Sequence, residues 1–110
     1  MSSQPQLESK FKSELIAQIK LQYPGAIILK TDANQLQGIL DNIILFKDKW
    51  AAFEAKRSQF SPHRPNQDYY AELMNEMSYA SFVYPENKEV FLNELHETFR
   101  PNRSAFISKR

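Results

Sequence analysis

Three residues in the middle of the chain combine side-chain types and spacing that could bind a metal ion. Glu54 and Lys56 are separated by one residue within the apolar segment 50–57, and in a strand the side chains at positions i and i+2 lie on one face. Asp41 interrupts a second apolar segment, residues 38–46. Charges in such segments are costly to bury unless they are paired or bind a metal. Two converging carboxylates favour a hard divalent cation such as Mg²⁺. The alternative is that Glu54 and Lys56 are an exposed charge pair on the solvent face of an edge hairpin.

These groups would suit the hydrolysis of a phosphodiester. Asp41 and Glu54 would hold the metal, and the carbonyl oxygen of Ala55 could supply a further ligand. The metal would polarise the phosphate and lower the pKa of a bound water. Lys56 would orient or activate that water, or offset the charge that builds on the pentacovalent phosphate. Gln67, just after the following loop, could contact the water or the scissile phosphate through its amide.

The first predicted helix adds a third acid. Glu8 falls near the middle of the apolar stripe of residues 7–22, whereas Glu14 lies on the exposed side. An acid that points at the core needs a partner, and a metal or its bound water is a natural one. The alternative is that Glu8 is a first-turn acid favoured by the helix dipole. The stripe consists of Leu7, Phe11, Leu15, Ile16 and Ile19.

Apolar periodicity and turn residues predict seven elements in the order αβββαβα. The polar turn 47–49 makes residues 38–57 an antiparallel hairpin, so Asp41 is expected across from roughly position 55, within reach of Glu54. The predicted helices cover residues 7–22, 66–79 and 85–99, and the predicted strands cover residues 26–30, 38–46, 50–57 and 80–84.

Strands and helices that mix within one small sheet indicate an α/β (α+β) class, with a four-stranded mixed sheet flanked by helices. The 110 residues are enough for one core but not for two. We therefore expect a single domain over residues 1–99 and a basic tail over residues 100–110.

The composition excludes several kinds of site. The chain has 42% hydrophobic and 25% charged residues, the mix of a soluble globular protein. Its two glycines exclude Gly-rich phosphate loops, and the absence of cysteine excludes disulfides, thiolate metal sites and cysteine nucleophiles. No apolar run reaches membrane-spanning length and no signal-peptide core is present, so we expect a cytoplasmic protein.

The net charge of +1 is low for a protein that binds nucleic acid. Positive side chains are nevertheless concentrated locally, where they could contact phosphates. Lys30 ends the first strand, and Arg57, His63 and Arg64 lie in the loop after the third strand. The alternative is that these side chains are simply solvated.

Six short segments also carry a family resemblance. They are Glu8 with Phe11 and Leu15, Tyr23-Pro24-Gly25-Ala26, Gln37-Gly38-Ile39-Leu40-Asp41, Phe53-Glu54-Ala55-Lys56, Arg64-Pro65-Asn66-Gln67 with Tyr70, and Phe82-Val83-Tyr84-Pro85-Glu86-Asn87. In this order and spacing, from residue 7 to about residue 99, they resemble the PD-(D/E)xK nuclease superfamily. The chain looks closest to small stand-alone members related to VRR-NUC domains and to phage-encoded and archaeal Holliday-junction resolvases. The proline that precedes the family's aspartate is Leu40 here.

The resemblance implies a restriction-endonuclease-like αβββαβα core and an endodeoxyribonuclease. It implies dependence on Mg²⁺, for which Mn²⁺ could substitute, and a helical glutamate at Glu8. It also implies a homodimer that acts on DNA, commonly branched DNA such as a Holliday junction. The alternative is a catalytically silent nucleic-acid- or protein-binding module on the same fold, such as a phage regulatory protein.

Overall fold

The computed structural model describes the backbone of residues 3–101 and the side chains of residues 7–101. Most of the predicted basic tail, from residue 102 onward, lies outside the described residues. The elements follow the predicted order, and a short 3-10 helix precedes the last α-helix. They are α1 (Ser3–Gln22), β1 (Ile27–Lys30), β2 (Asn42–Phe46), β3 (Lys49–Ala55), α2 (Gln67–Met77), β4 (Tyr79–Val83), the 3-10 helix (Pro85–Asn87) and α3 (Lys88–Phe99).

The four strands form one mixed sheet in the order β1-β2-β3-β4. Neighbouring strands are antiparallel from β1 to β3, whereas β3 and β4 are parallel. The parallel pair requires a crossover connection, which the loop after β3 and helix α2 provide. The predicted mixed α/β architecture is therefore confirmed.

One face of the sheet is covered by α1 and α3. Leu15 and Ile19 of α1 pack there with Phe91 and Leu95 of α3 and with Phe53 of the central strand. All five side chains are almost completely buried, so this is the main core of the protein.

The other face is covered by α2. Met74 of this helix joins Leu40, Ala52 and Ala80 in a second, smaller buried cluster. Ala52 lies in this cluster while its neighbour Phe53 lies in the first, which is the alternation expected of a strand. Helices thus flank both faces of the sheet. Within residues 3–101 no helix is long and apolar enough to cross a membrane.

The predicted start of the second strand was wrong. Strand β2 begins at Asn42 rather than at residue 38, so Asp41 stands immediately before the strand. The backbone at Gly38 has a φ of +94°, outside the range of a strand. The third strand ends at Ala55, although the amide of Lys56 still donates a hydrogen bond to the carbonyl of Val83 on β4 (2.8 Å).

The predicted place of Leu7 in the buried stripe of α1 was also wrong, since this residue is 54% exposed. A helix of 20 residues is about 30 Å long. The longest strand has 7 residues and spans only about 23 Å. The first turns of α1 therefore extend beyond the sheet that buries Leu15 and Ile19.

Candidate metal centre

The central strand β3 brings Glu54 and Lys56 together in a buried position. The two residues are only 6% and 7% exposed. Side chains along a strand alternate between the two faces, so Glu54 and Lys56 lie on the same face as Ala52 and opposite Phe53. This is the face that α2 covers. Two opposite charges buried side by side on one strand are the arrangement that the sequence predicted.

Asp41 meets Glu54 across the β2–β3 hairpin. The backbone amide of Asp41 donates a hydrogen bond to Oε1 of Glu54 (2.9 Å). Asn42 pairs with Phe53, and continuing this register by one residue places Asp41 opposite Glu54, one position from the predicted partner. Thr31 holds the segment from the other side, because its amide binds the carbonyl oxygen of Asp41 (2.9 Å).

The proximity of the two acids affects the ionisation of Glu54. Burial, followed by the negative charge of Asp41, raises the pKa of the Glu54 carboxyl above its usual value. Lys56, the backbone amide of Asp41 and Arg64 act in the opposite direction, but they do not cancel the increase. A cation bound between the two carboxylates would relieve this repulsion.

Gln67 fixes the ammonium group of Lys56. Oε1 of this fully buried glutamine accepts hydrogen bonds from Nζ of Lys56 (3.0 Å) and from the backbone amide of Arg64 (2.8 Å). The carbonyl oxygen of Pro62 also accepts from Lys56 (3.2 Å). The buried Nε2 of Gln67 has no hydrogen-bond partner among the described residues. Gln67 thus belongs to the site, where it contacts the lysine.

A close backbone approach positions Asp41 relative to the start of α2. A Cβ atom added at Gly38 would lie 2.6 Å from Cβ of Asn66 and 2.7 Å from the carbonyl oxygen of Pro65. The glycine therefore lets the segment before Asp41 pack directly against the two residues before Gln67. This contact joins the two halves of the site.

Lys12 is a member of the site that the sequence analysis did not identify. Its Nζ lies 2.5 Å from Oδ2 of Asp41, and Nζ of Lys30 lies 3.9 Å from the same oxygen. The available signal was a lysine next to Phe11 at the border of the apolar stripe. That signal is weak, because lysine stems commonly cover apolar surface while the charge stays in water.

Glu8 does not join the two carboxylates. It is half-buried and lies one turn before Lys12 on the same side of α1. Among residues 7–101, no three Asp, Glu, His or Cys side chains lie close enough together to hold a metal ion. Asp41 and Glu54 therefore form a pair, and the roles of Glu8 and of the Ala55 carbonyl as ligands stay predictions.

Two of the four predicted phosphate-contacting residues lie near the acids. Lys30 approaches Asp41, and Nη2 of Arg64 lies 3.3 Å from Oε2 of Glu54. His63 binds Asp68 through Nδ1 (2.7 Å) and stacks on Phe82 with a centroid distance of 4.0 Å.

Phe82 also lies under the ammonium of Lys56, at 6.0 Å from the ring centroid, so His63 borders the site. Arg57 is half-buried in the segment that follows β3. That any of these basic residues contacts nucleic acid stays a prediction.

The two carboxylates fit a hard divalent cation. Mg²⁺ is usually held in proteins by one or two carboxylates, while waters and substrate phosphates complete its coordination. Asp41 and Glu54 provide such a pair, and the pKa of Glu54 is raised first by burial and then by the negative charge of Asp41, which a cation would offset. Comparisons of the chain with protein-family models, with curated proteins and with solved structures find no match.

Proposed function

We propose that this protein is a metal-dependent endodeoxyribonuclease of the PD-(D/E)xK type, built on a restriction-endonuclease-like core. The observation that carries the proposal is the contact between Asp41 and Glu54, with Lys56 following on the same face of the sheet. Buried charges of this kind destabilise a fold unless they are compensated, so their combination in one place favours a chemical role.

Each residue has a distinct task in the proposed reaction. Asp41 and Glu54 would hold Mg²⁺ or Mn²⁺, which supplies polarisation of the phosphate and a water of lowered pKa. Lys56 would orient the attacking water or stabilise the negative charge that develops on the phosphate. Gln67 would keep the ammonium of Lys56 in place through the 3.0 Å hydrogen bond.

Branched or otherwise structured DNA is the proposed substrate. The two longest loops of the described chain, residues 31–41 and 56–66, pack against each other at Gly38 and Asn66. They are therefore less available to read a base sequence, which favours recognition of DNA shape. Lys30 and Arg64 beside the acids would contact the phosphate backbone, which determines position rather than sequence. A C2 homodimer, the commonest form of assembly, would present two sites for two symmetric cuts.

The test is a cleavage assay with labelled four-way junction, duplex and single-stranded DNA, each with Mg²⁺ or Mn²⁺. We expect metal-dependent cutting that is lost in Lys56→Ala and kept in Lys20→Ala, which removes an exposed lysine from α1. Light scattering of the same samples measures the oligomeric state. The absence of cutting by a folded protein in both metals would contradict the proposal.

A binding module without catalysis is the second candidate. It is favoured by the fact that both carboxylates already have positively charged partners, Lys12 for Asp41 and Arg64 for Glu54. Metal binding separates the two candidates, because a pure binding module needs no cation between Asp41 and Glu54. Calorimetric binding of Mn²⁺ that disappears in Asp41→Ala supports the nuclease.

A further inference from the structure

Each acid of the candidate metal centre is paired with a cation from a different part of the fold. Lys12 reaches Asp41 from α1, and Arg64 reaches Glu54 from the loop before α2. The contacted atoms are Oδ2 of Asp41 and Oε2 of Glu54, whereas Oε1 of Glu54 accepts the backbone amide. The two cations therefore occupy carboxylate oxygens that a bound metal would need.

The burial of the Lys12–Asp41 pair strengthens the competition between this lysine and a bound metal. The side chains of Lys12 and Asp41 are only 23% and 26% exposed, so solvent screens their attraction incompletely. Arg64 is 60% exposed, but its partner Glu54 is only 7% exposed, so a departing Arg64 would leave a buried carboxylate that the metal must compensate. Lys12 is the cation that is itself mostly buried, and we therefore choose it for the test.

The charged side chains of the candidate metal centre carry a net positive charge, which indicates that an anion would bind there once the metal is present. Three positive side chains contact the two carboxylates, and a fourth, Lys56, acts on Glu54 through its charge from the same face of the sheet, which leaves 4 − 2 = +2 before any metal binds. A divalent metal adds two further positive charges, so an anion is needed to balance the site. The four are Lys12, Lys30, Lys56 and Arg64.

We propose that Lys12 and Arg64 are placeholder cations, which neutralise Asp41 and Glu54 in the metal-free protein and move to the phosphates of the DNA when metal binds. This inference rests on the proposed nuclease function. It assigns Lys12 two effects of opposite sign: the lysine opposes metal binding in the free protein and strengthens DNA binding in the metal-loaded protein. A purely structural lysine would have neither effect.

The first arm of the test measures Mn²⁺ binding by calorimetry without DNA. We compare wild type with Lys12→Gln and with Lys10→Gln, a matched control that removes an exposed charge from the same helix. Loss of the competing cation should tighten Mn²⁺ binding to Lys12→Gln by about fivefold or more. Lys10→Gln should stay within about twofold of wild type, because a solvated charge is screened.

The second arm measures the affinity for a labelled four-way junction by fluorescence anisotropy, with Ca²⁺ replacing Mg²⁺ to prevent cutting. Lys12→Gln should bind the junction more weakly than Lys10→Gln does. A plot of log affinity against log salt concentration should also be less steep for Lys12→Gln than for wild type, by about one unit, the value of one lost phosphate contact. Thermal unfolding of each variant establishes that the compared proteins are folded.

The outcomes separate this inference from the function on which it rests. If wild type binds Mn²⁺ through Asp41 but Lys12→Gln binds it no more tightly, the placeholder role is wrong and the nuclease proposal stands. An unchanged salt slope would likewise overturn the transfer of Lys12 to phosphate. If wild type binds no Mn²⁺, or Asp41→Ala leaves binding intact, the proposed function fails and the inference fails with it.

Discussion

The backbone amide of Asp41 donates a 2.9 Å hydrogen bond to the carboxylate of Glu54, so the two acids are held together by the main chain. The bond uses no side-chain atom of Asp41, so the carboxylate of Asp41 keeps its contacts with Lys12 and Lys30. The amide nitrogen of Asp41 stays in place when either side chain is changed, which allows the charge of each acid to be removed separately.

Replacing Glu54 by Gln should weaken metal binding and cleavage with little effect on the fold. The glutamine oxygen can still accept the hydrogen bond from the Asp41 amide, but the ligand charge is gone. We expect Mn²⁺ affinity to fall by about tenfold or more, and cleavage to fall with it. Calorimetry and the junction assay measure both, with the exposed Glu72→Gln on α2 as control. Full metal affinity in Glu54→Gln would remove Glu54 from the ligand set.

The stability of the protein should depend on pH through Glu54. Its pKa is raised in the folded state above the ordinary 4.5, by burial and then by Asp41. The folded protein therefore binds this proton more tightly than the unfolded chain does. The resulting stabilisation is fully present below 4.5 and is lost as the pH rises through the raised pKa.

Urea denaturation at a series of pH values tests this dependence. The Glu54→Gln variant cannot ionise at this position, so its free energy of unfolding should increase relative to wild type as the pH rises above 4.5. Groups that do not interact with Glu54 titrate in the same way in both proteins and cancel in the difference. A difference that moves in the opposite direction would mean that the pKa of Glu54 is lowered, because the positive charges of Lys56 and Arg64 affect it more than burial does.

The placement of Glu54 and Lys56 could be predicted because it depends on local rules. Alternation of side chains along a strand puts both on one face, and the apolar neighbours bury that strand. The sequence predicted Gln67 as a member of the site, but not its contact with Lys56. The pairing of Asp41 with Glu54 required only the position of the hairpin turn.

The rest of the site depends on contacts between distant parts of the chain. The apolar pattern from residue 38 predicts a continuous strand, but Gly38 packs against Pro65 and Asn66 and the strand begins later. Lys12 reaches Asp41 only because of the way α1 crosses the sheet. Neither relationship is visible in the periodicity of a single segment.

Gln67→Leu should reduce both stability and activity. The leucine removes the acceptor for the ammonium of Lys56 and for the Arg64 amide, which leaves a buried donor unsatisfied. We expect a loss of about 2 kcal/mol or more in the free energy of unfolding. The exposed Gln35→Leu is the control. Cleavage by Gln67→Leu should fall by more than the loss of folded protein explains, because Lys56 loses the acceptor that positions it. If cleavage falls only in proportion to the amount of folded protein, Gln67 has a structural role alone.

The two glycines of the chain provide an internal comparison for the contact that joins the halves of the site. Gly25 and Gly38 have nearly equal positive φ angles, +92° and +94°. A Cβ atom at Gly25 would meet nothing within 4 Å, whereas one at Gly38 would clash with Asn66 and Pro65. Substitution by alanine therefore introduces the same backbone strain at both positions but a steric conflict at only one.

Gly25→Ala should lower the free energy of unfolding by about 1 kcal/mol, the usual strain of a left-handed alanine. Gly38→Ala should lower it by about 2 kcal/mol more, because backbone atoms must move to admit the new methyl group. It should also weaken Mn²⁺ binding, since the displaced segment leads directly into Asp41. Urea denaturation and calorimetry on the two variants measure these effects. Equal losses for both variants would show that the approach of Gly38 to Asn66 does not position the carboxylate pair.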